Sequence, residues 1–174
     1  MKKPRRAAPT HKPVILFLVR CLVYWGIALL LVSKVPAVEE AGIDLTLRTL
    51  QGTLGLFHGH VERHGSSLFA AGTSVEIVSE CSPHMPFLIF AAVILAFPAT
   101  WRQRLVGLLL GAVVIHVFNT VRILTLIWVL AARRDWFEFI HVYLWQTGTI
   151  IIVFVTFALW LGAVSRGRKA PQPA

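Results

Sequence analysis

Three side chains in this 174-residue chain are of types that together can carry out acyl transfer. Cys81 offers a thiol, His141 an imidazole and Arg122 a guanidinium, with Asn119 and Ser82 as neighbouring donors. Thiols are mostly protonated at neutral pH, and a nearby imidazole or guanidinium favours the thiolate. A thiolate at position 81 would attack a carbonyl to give a thioester, dividing one hard acyl transfer into two easier steps. An imidazole at position 141 would protonate the leaving amine and then deprotonate the incoming nucleophile. Arg122 would hold the oxyanion or orient the substrate carbonyl, and such help is large where the dielectric is low. Taken singly, each residue has an ordinary explanation: core filler, a satisfied polar group, a snorkelling head group. Their meaning depends on whether the fold brings them together.

The composition says what kind of fold that is. Apolar residues make up 56% of the chain and charged residues only 14%, with a mean hydropathy of +0.71. A soluble domain is about a quarter charged, and one of this size could not hide so much hydrocarbon from water. The net charge of +9 raises the question of nucleic acid. However, the basic residues lie mostly at the two ends and in one short loop between apolar runs. The chain reads as an all-α polytopic membrane protein, with the lipid bilayer as a partner and no nucleic acid.

Four runs, 14–35, 84–99, 105–132 and 140–164, are candidates to cross a hydrocarbon core of about 30 Å. The second is short, so it should begin near Cys81 or lie against protein at its outer end. A single transmembrane domain, 14–164, then sits between a basic leader, 1–13, and a basic tail, 165–174. Lys2, Lys3, Arg5, Arg6 and Lys12 precede the first span, Arg102 and Arg104 join the second to the third, and Arg166, Arg168 and Lys169 follow the fourth. Four crossings put all three groups on one side, which the lysine and arginine bias makes the cytoplasm. All 8 acidic residues, from Glu39 to Glu138, fall on the other. The expected location is the inner membrane, with both termini cytoplasmic. Val35-Pro36-Ala37 looks like a signal-peptide end, but the apolar run before it exceeds the roughly 7–15 residues of a signal-peptide core, so an uncleaved anchor is expected.

The loop 36–80 is external in this topology. Val38, Ala41, Leu45, Leu50 and Leu54 recur at roughly helical spacing and predict an interfacial helix. Strand-like pieces around Gly65 and Gly72 predict a small β-hairpin that leads to Cys81.

Within the third span, His116, Asn119 and Arg122 follow one another in steps of three and share a broad helical face. Ionisable groups inside a membrane are costly unless paired or hydrated, and so point to function. Counted from Leu105, Arg122 lies about 25 Å along the helix, in the outer third of the bilayer. Cys81 opens the second span from outside and His141 opens the fourth. The topology, set without these three residues, brings them to one outer layer.

At these positions the chain resembles the exosortase/archaeosortase family of membrane cysteine transpeptidases. The likeness rests on Glu80-Cys81-Ser82, on Asn119-Thr-Val-Arg122 and on His141. The Leu-Ala-Phe-Pro98, Trp101-Arg-Gln-Arg-Leu, Gly107 and Gly111 stretch is similar to the compact exosortase H branch. Pro83 stands where the family pattern has Gly after the Cys-Ser pair. The resemblance implies catalytic Cys81, Arg122 and His141, supported by Asn119 and Ser82, with no cofactor. It also implies substrates that are secreted proteins ending in a sorting signal: a short motif, an apolar helix and a basic tail. Cleavage would leave a thioester on the external face, resolved by an acceptor amine or by water.

Two other readings compete. His58, His60, His64 and His84 are external and offer a metal- or haem-binding protein, although glycine-rich surface histidines are more often solvated and only His116 lies deep. Gly107 and Gly111 permit close helix packing and offer a non-catalytic assembly subunit. The two cysteines, Cys21 and Cys81, make neither a disulfide framework nor a metal-ligand pair.

Overall fold

Phe97-Pro98 cannot continue a helix, because proline pushes the residue before it out of the helical region. Two residues later Thr100 opens another. Its hydroxyl accepts from the Gln103 backbone N–H at 3.4 Å, while the Gln103 side chain accepts from the Thr100 backbone at 3.0 Å. This reciprocal cap divides the central apolar sequence into α3 (His84–Ala96) and α4 (Trp101–Ala132). The structure, a computed structural model, describes residues 12–58, 61–70 and 73–169.

Before this pair come α1 (Lys12–Lys34) and α2 (Pro36–His58), separated by Val35 ahead of a proline. Three antiparallel strands follow: β1 (Glu62–His64), β2 (Ser67–Ala70) and β3 (Thr73–Glu76), in the order β1-β2-β3. A single 3-10 turn, Ser79–Cys81, joins β3 to α3. After α4 the chain is helical again through a 3-10 turn (Arg134–Trp136), the short α5 (Phe137–Phe139), a π-helical turn (Ile140–Trp145) and α6 (Gln146–Lys169).

This is an all-α membrane protein carrying one small sheet. Pro13–Lys34, Trp101–Ala132 and Arg134–Gly167 are long and apolar enough to cross a bilayer, and His84–Ala96 is a shorter apolar helix. The second candidate run therefore stops at Ala96 rather than 99, and the last helical run begins well before 140. The expected hairpin is a three-stranded sheet: Glu62 pairs with Phe69 on one side of β2, and Ser67 with Glu76 on the other. Gly65, with φ of 61°, makes the tight turn between the first two strands. Gly59, His60, Gly72, residues 1–11 and residues 170–174 lie outside the described residues.

Helix α4 runs through two apolar clusters. Its Ile115 packs with Phe90, Ile94, Trp160 and Val164, whereas Ile123 and Ile127 pack with Leu47, Leu50, Leu54, Leu68 and Ile77. Asn119 lies between them in sequence. The buried stripe of α2 is Leu47, Leu50 and Leu54; Val38 and Leu45, expected on that face, are exposed. The helical period accounts for the difference: position 45 lies about 200° round the helix from 47, and α2 carries apolar residues on two sides. The inner side packs across the protein, from Gly42 beside Ser82 to Thr49, whose hydroxyl lies 3.0 Å from His116 Nε2.

Gly107 and Gly111 are used within the chain. A Cβ at Gly107 would strike the Trp160 indole of α6, and one at Gly111 would run into the Phe90 ring of α3. Trp160 Nε1 donates to the Gln103 carbonyl at 2.9 Å, fixing the indole over Gly107. The same small-residue face that permits association between chains is here filled by the chain's own helices.

Candidate functional site

The segment carrying Cys81 is held from both sides. Upstream, buried Ile77 donates its backbone N–H to Ser66 O at 2.9 Å, extending the pairing of β3 by one residue. The 3-10 turn then closes through Cys81 N to Val78 O and Ser82 N to Ser79 O. Downstream, Pro83 takes the cap position of α3 with φ of −76°. Proline suits such a place, because its fixed φ matches and its missing N–H would have no partner in the helix. The Gly-to-Pro departure thus falls where the backbone asks for no glycine.

Helix α4 supplies the next contact. Asn119, almost wholly buried, donates from Nδ2 to the Cys81 carbonyl at 2.7 Å. Arg122 stands three residues further along the same face, with Nη2 at 3.5 Å from His141 Nε2. Arginine can only donate, so Nε2 must accept, and the imidazole in this arrangement carries its proton on Nδ1. Phe137 stacks on the His141 ring, with centroids 5.5 Å apart and planes at 28°. His141 itself lies in the π-helical turn, a local widening of the helix that recurs at functional sites.

A cavity of about 370 Å³ opens at this point, lined by Arg122, His141, Val142, Gln146, Thr149 and Ile150. Arg122 Nε is buried and has no partner among the described residues. The guanidinium as a whole belongs to the cavity lining, and it is a group of the type that binds an oxyanion or a carbonyl. The structure therefore brings Arg122 and His141 into contact and joins Cys81 to the same turn of α4 through Asn119. Among the described residues no hydrogen bond links Cys81 Sγ to either group, and Cys81 is not part of the cavity lining.

Ser82 is placed differently from the other candidates. Its hydroxyl is buried, without a partner among the described residues, and turned to α2, close enough to Gly42 that a Cβ there would sit 2.8 Å from it. His84, read from sequence as one of four external histidines, is 9% exposed, and neither ring nitrogen has a partner among the described residues. Gly42 packs closely on Ser82 and His84 behind the Cys81 segment, an approach that sequence reasoning missed. The available signal was the run Cys81-Ser82-Pro83-His84 at a helix start.

No three His, Cys, Asp or Glu residues converge on a metal position among the described residues. His64 pairs with Glu62 at 3.5 Å, and His116 is bonded to Thr49. Both cysteines are free thiols.

The model of the transmembrane exosortase family matches residues 10–163. The chain belongs to the exosortase family. The match covers the described helices from α1 into α6 and includes Cys81, Asn119, Arg122 and His141. Family membership supports a sorting-related transpeptidase role in a membrane. No curated protein and no solved structure matches the chain.

Proposed function

We propose that this exosortase-family chain is a cysteine transpeptidase that removes the C-terminal sorting signal of secreted proteins through a thioester on Cys81. One observation carries the reading: a single turn of α4 bonds the Cys81 segment through Asn119 and touches His141 through Arg122. Cys81 is the nucleophile, His141 the acid and base, and Arg122 the group that orients the carbonyl. Asn119 acts on the Cys81 backbone and is a positioning residue.

The chemistry balances with these groups. His141 Nε2, the ring nitrogen without a proton, exchanges its contact with Arg122 for the Cys81 thiol and takes that proton as Sγ bonds to the scissile carbonyl carbon. The Arg122 guanidinium, freed from His141 as that ring takes the proton, donates to the oxygen that becomes negative. Collapse of the tetrahedral species breaks the C–N bond, and His141 returns its proton to the departing amine. An acceptor amine or water then attacks the thioester, loses a proton to His141 and frees Cys81, which regains that proton.

In the arrangement that serves this reaction, α1, α3, α4 and α6 make four crossings, both termini are cytoplasmic, and the site faces the outside of the inner membrane. Residues 14–164 act as one transmembrane domain between the basic leader and tail. Helix α3 is about 20 Å long at 1.5 Å per residue, shorter than the hydrocarbon core, and α2 with the turn at Ser79–Cys81 covers its outer end. Exposed Trp101 and Trp128 lie about 40 Å apart along α4, suited to the two interfaces of a bilayer. Arg122 is six residues inside Trp128, roughly 9 Å below that interface.

The test is co-expression with a secreted protein that ends in a short motif, an apolar helix and a basic tail. The parent chain should shorten that protein, and Cys81→Ser should accumulate in the membrane equally but leave it intact. Full processing by Cys81→Ser would remove the nucleophile assignment.

A further inference from the structure

A trough between α3 and α6 runs into the Arg122–His141 cavity. It has a volume of about 460 Å³ and an almost wholly apolar lining, with Met85, Ile89 and Val93 on one wall and Ile150, Phe154 and Phe157 on the other. Both walls repeat at close to four residues, so each is a helical stripe. Each stripe extends over roughly 10 Å, and the two helices run in the same direction. Thr149 and Ile150 line the trough and the polar cavity alike. Following the same face of the last helical run from Phe157 back to His141 gives one lateral channel of roughly 24 Å. It is apolar along most of its length and polar at the Arg122 end.

We infer that this trough seats the apolar helix of the sorting signal and so delivers the scissile bond to the polar end; the inference rests on the proposed transpeptidase reading. Two parallel helical stripes form the receiving groove for a third helix, whose axis packs 8–10 Å from each wall in ordinary helix packing. Phe154 is 69% exposed and Ile89 47%, so apolar side chains stand ready at both rims. Polarity fixes the direction. A sorting signal places its motif before its helix, so a helix lying in the trough with its motif towards Arg122 has its basic tail at the opposite, cytoplasmic end. The Arg122 guanidinium, part of the polar cavity lining, then lies where the chain leaves the helix and presents free carbonyls. An acyl chain fits the apolar part, but it offers no amide carbonyl at the polar end.

The experiment uses the full chain in membranes, with a co-expressed secreted reporter ending in motif, apolar helix and basic tail. A benzophenone amino acid is placed at Phe154 or Ile89, or at Val113 on α4, which is 62% exposed and outside the trough. These forms carry Cys81→Ser so that the reporter is held uncleaved. Crosslinks to the reporter helix from positions 154 and 89, at least tenfold above those from 113, are expected. Separately, Ile89→Trp in the otherwise parental chain should slow reporter processing about tenfold. Replacing one large residue of the reporter helix by alanine should restore the rate, which a folding defect would not allow. Crosslinks to phospholipid alone, or parental processing by Ile89→Trp, would overturn the trough assignment while the transpeptidase reading stands. A parent chain that never shortens the reporter would overturn that reading itself.

Discussion

At the scale of single residues, Arg122 carries more than charge. Its Nη2 touches His141 and the guanidinium lines the cavity, so under the proposed mechanism one planar fork would serve two purposes. Lysine has a compact point charge and no fork. Arg122→Lys should therefore lower processing by about a hundredfold, the size of effect seen when one oxyanion donor is removed. The check is reporter shortening at matched membrane levels, and an undiminished rate would reduce Arg122 to a membrane anchor. His141→Ala removes the proton carrier and should cost about a hundredfold or more. Asn119→Ala leaves the Cys81 carbonyl without its buried donor, a loss of about 1–3 kcal/mol. It should lower thermal stability in detergent and activity together, whereas Arg122→Lys should lower activity with little change in melting.

At the scale of elements, α2 and the sheet brace the Cys81 segment. Gly42 lets α2 approach Ser82, and Gly42→Ala would make the buried Ser82 hydroxyl turn away or α2 shift. Processing should fall while the membrane helices still assemble, as read by unchanged helical circular dichroism. The sheet is tied to α2 by Arg63, whose Nη1 lies 2.9 Å from Asp44, and Arg48 bonds the same carboxylate at 2.6 Å. The Arg63 hydrogen bond, followed by Arg48, holds the Asp44 carboxyl below its usual range. A depressed carboxylate stabilises the fold above its unfolded value, near pH 4, and that help is lost as pH falls through the folded value. Hydrogen exchange in residues 62–76 should accordingly rise as pH drops below about 4, after correction for intrinsic rates. Arg63→Gln should show the faster exchange at neutral pH already.

The same elements show what was legible in the sequence. Span counting expects Cys81, Arg122 and His141 in one layer from 1.5 Å per residue and the basic loops, and the structure brings Arg122 to His141 and ties the Cys81 segment to Asn119. Packing detail was out of reach. The π-helical turn at Ile140–Trp145 has no sequence signature; it arises where the start of the last helical run meets α4. The two-sided apolar pattern of α2 left its buried face undecided between Leu45 and Leu47. His84 read as a surface histidine because its burial is tertiary, with α2 approaching it at Gly42. The bond from Asn119 to a backbone carbonyl could not be read at all, since every residue has a carbonyl.

At the scale of the whole molecule, the two clusters strung along α4 leave the polar site between them, with α1 outermost against α3. The free thiols report on this arrangement. A membrane-impermeant maleimide applied from outside should label Cys81 and spare Cys21, which lies about 13 Å into α1 from its Lys12 end. Labelling of Cys81 only after permeabilisation would reverse the orientation. The most direct measurement is the chemical form of the product. Hydroxylamine added to membranes during processing should intercept a thioester, so mass spectrometry of the shortened reporter should find a C-terminal hydroxamate with the parent chain and no shortened product with Cys81→Ser. A free carboxylate as the sole product under hydroxylamine, formed at the same rate by Cys81→Ser, would contradict covalent catalysis by Cys81.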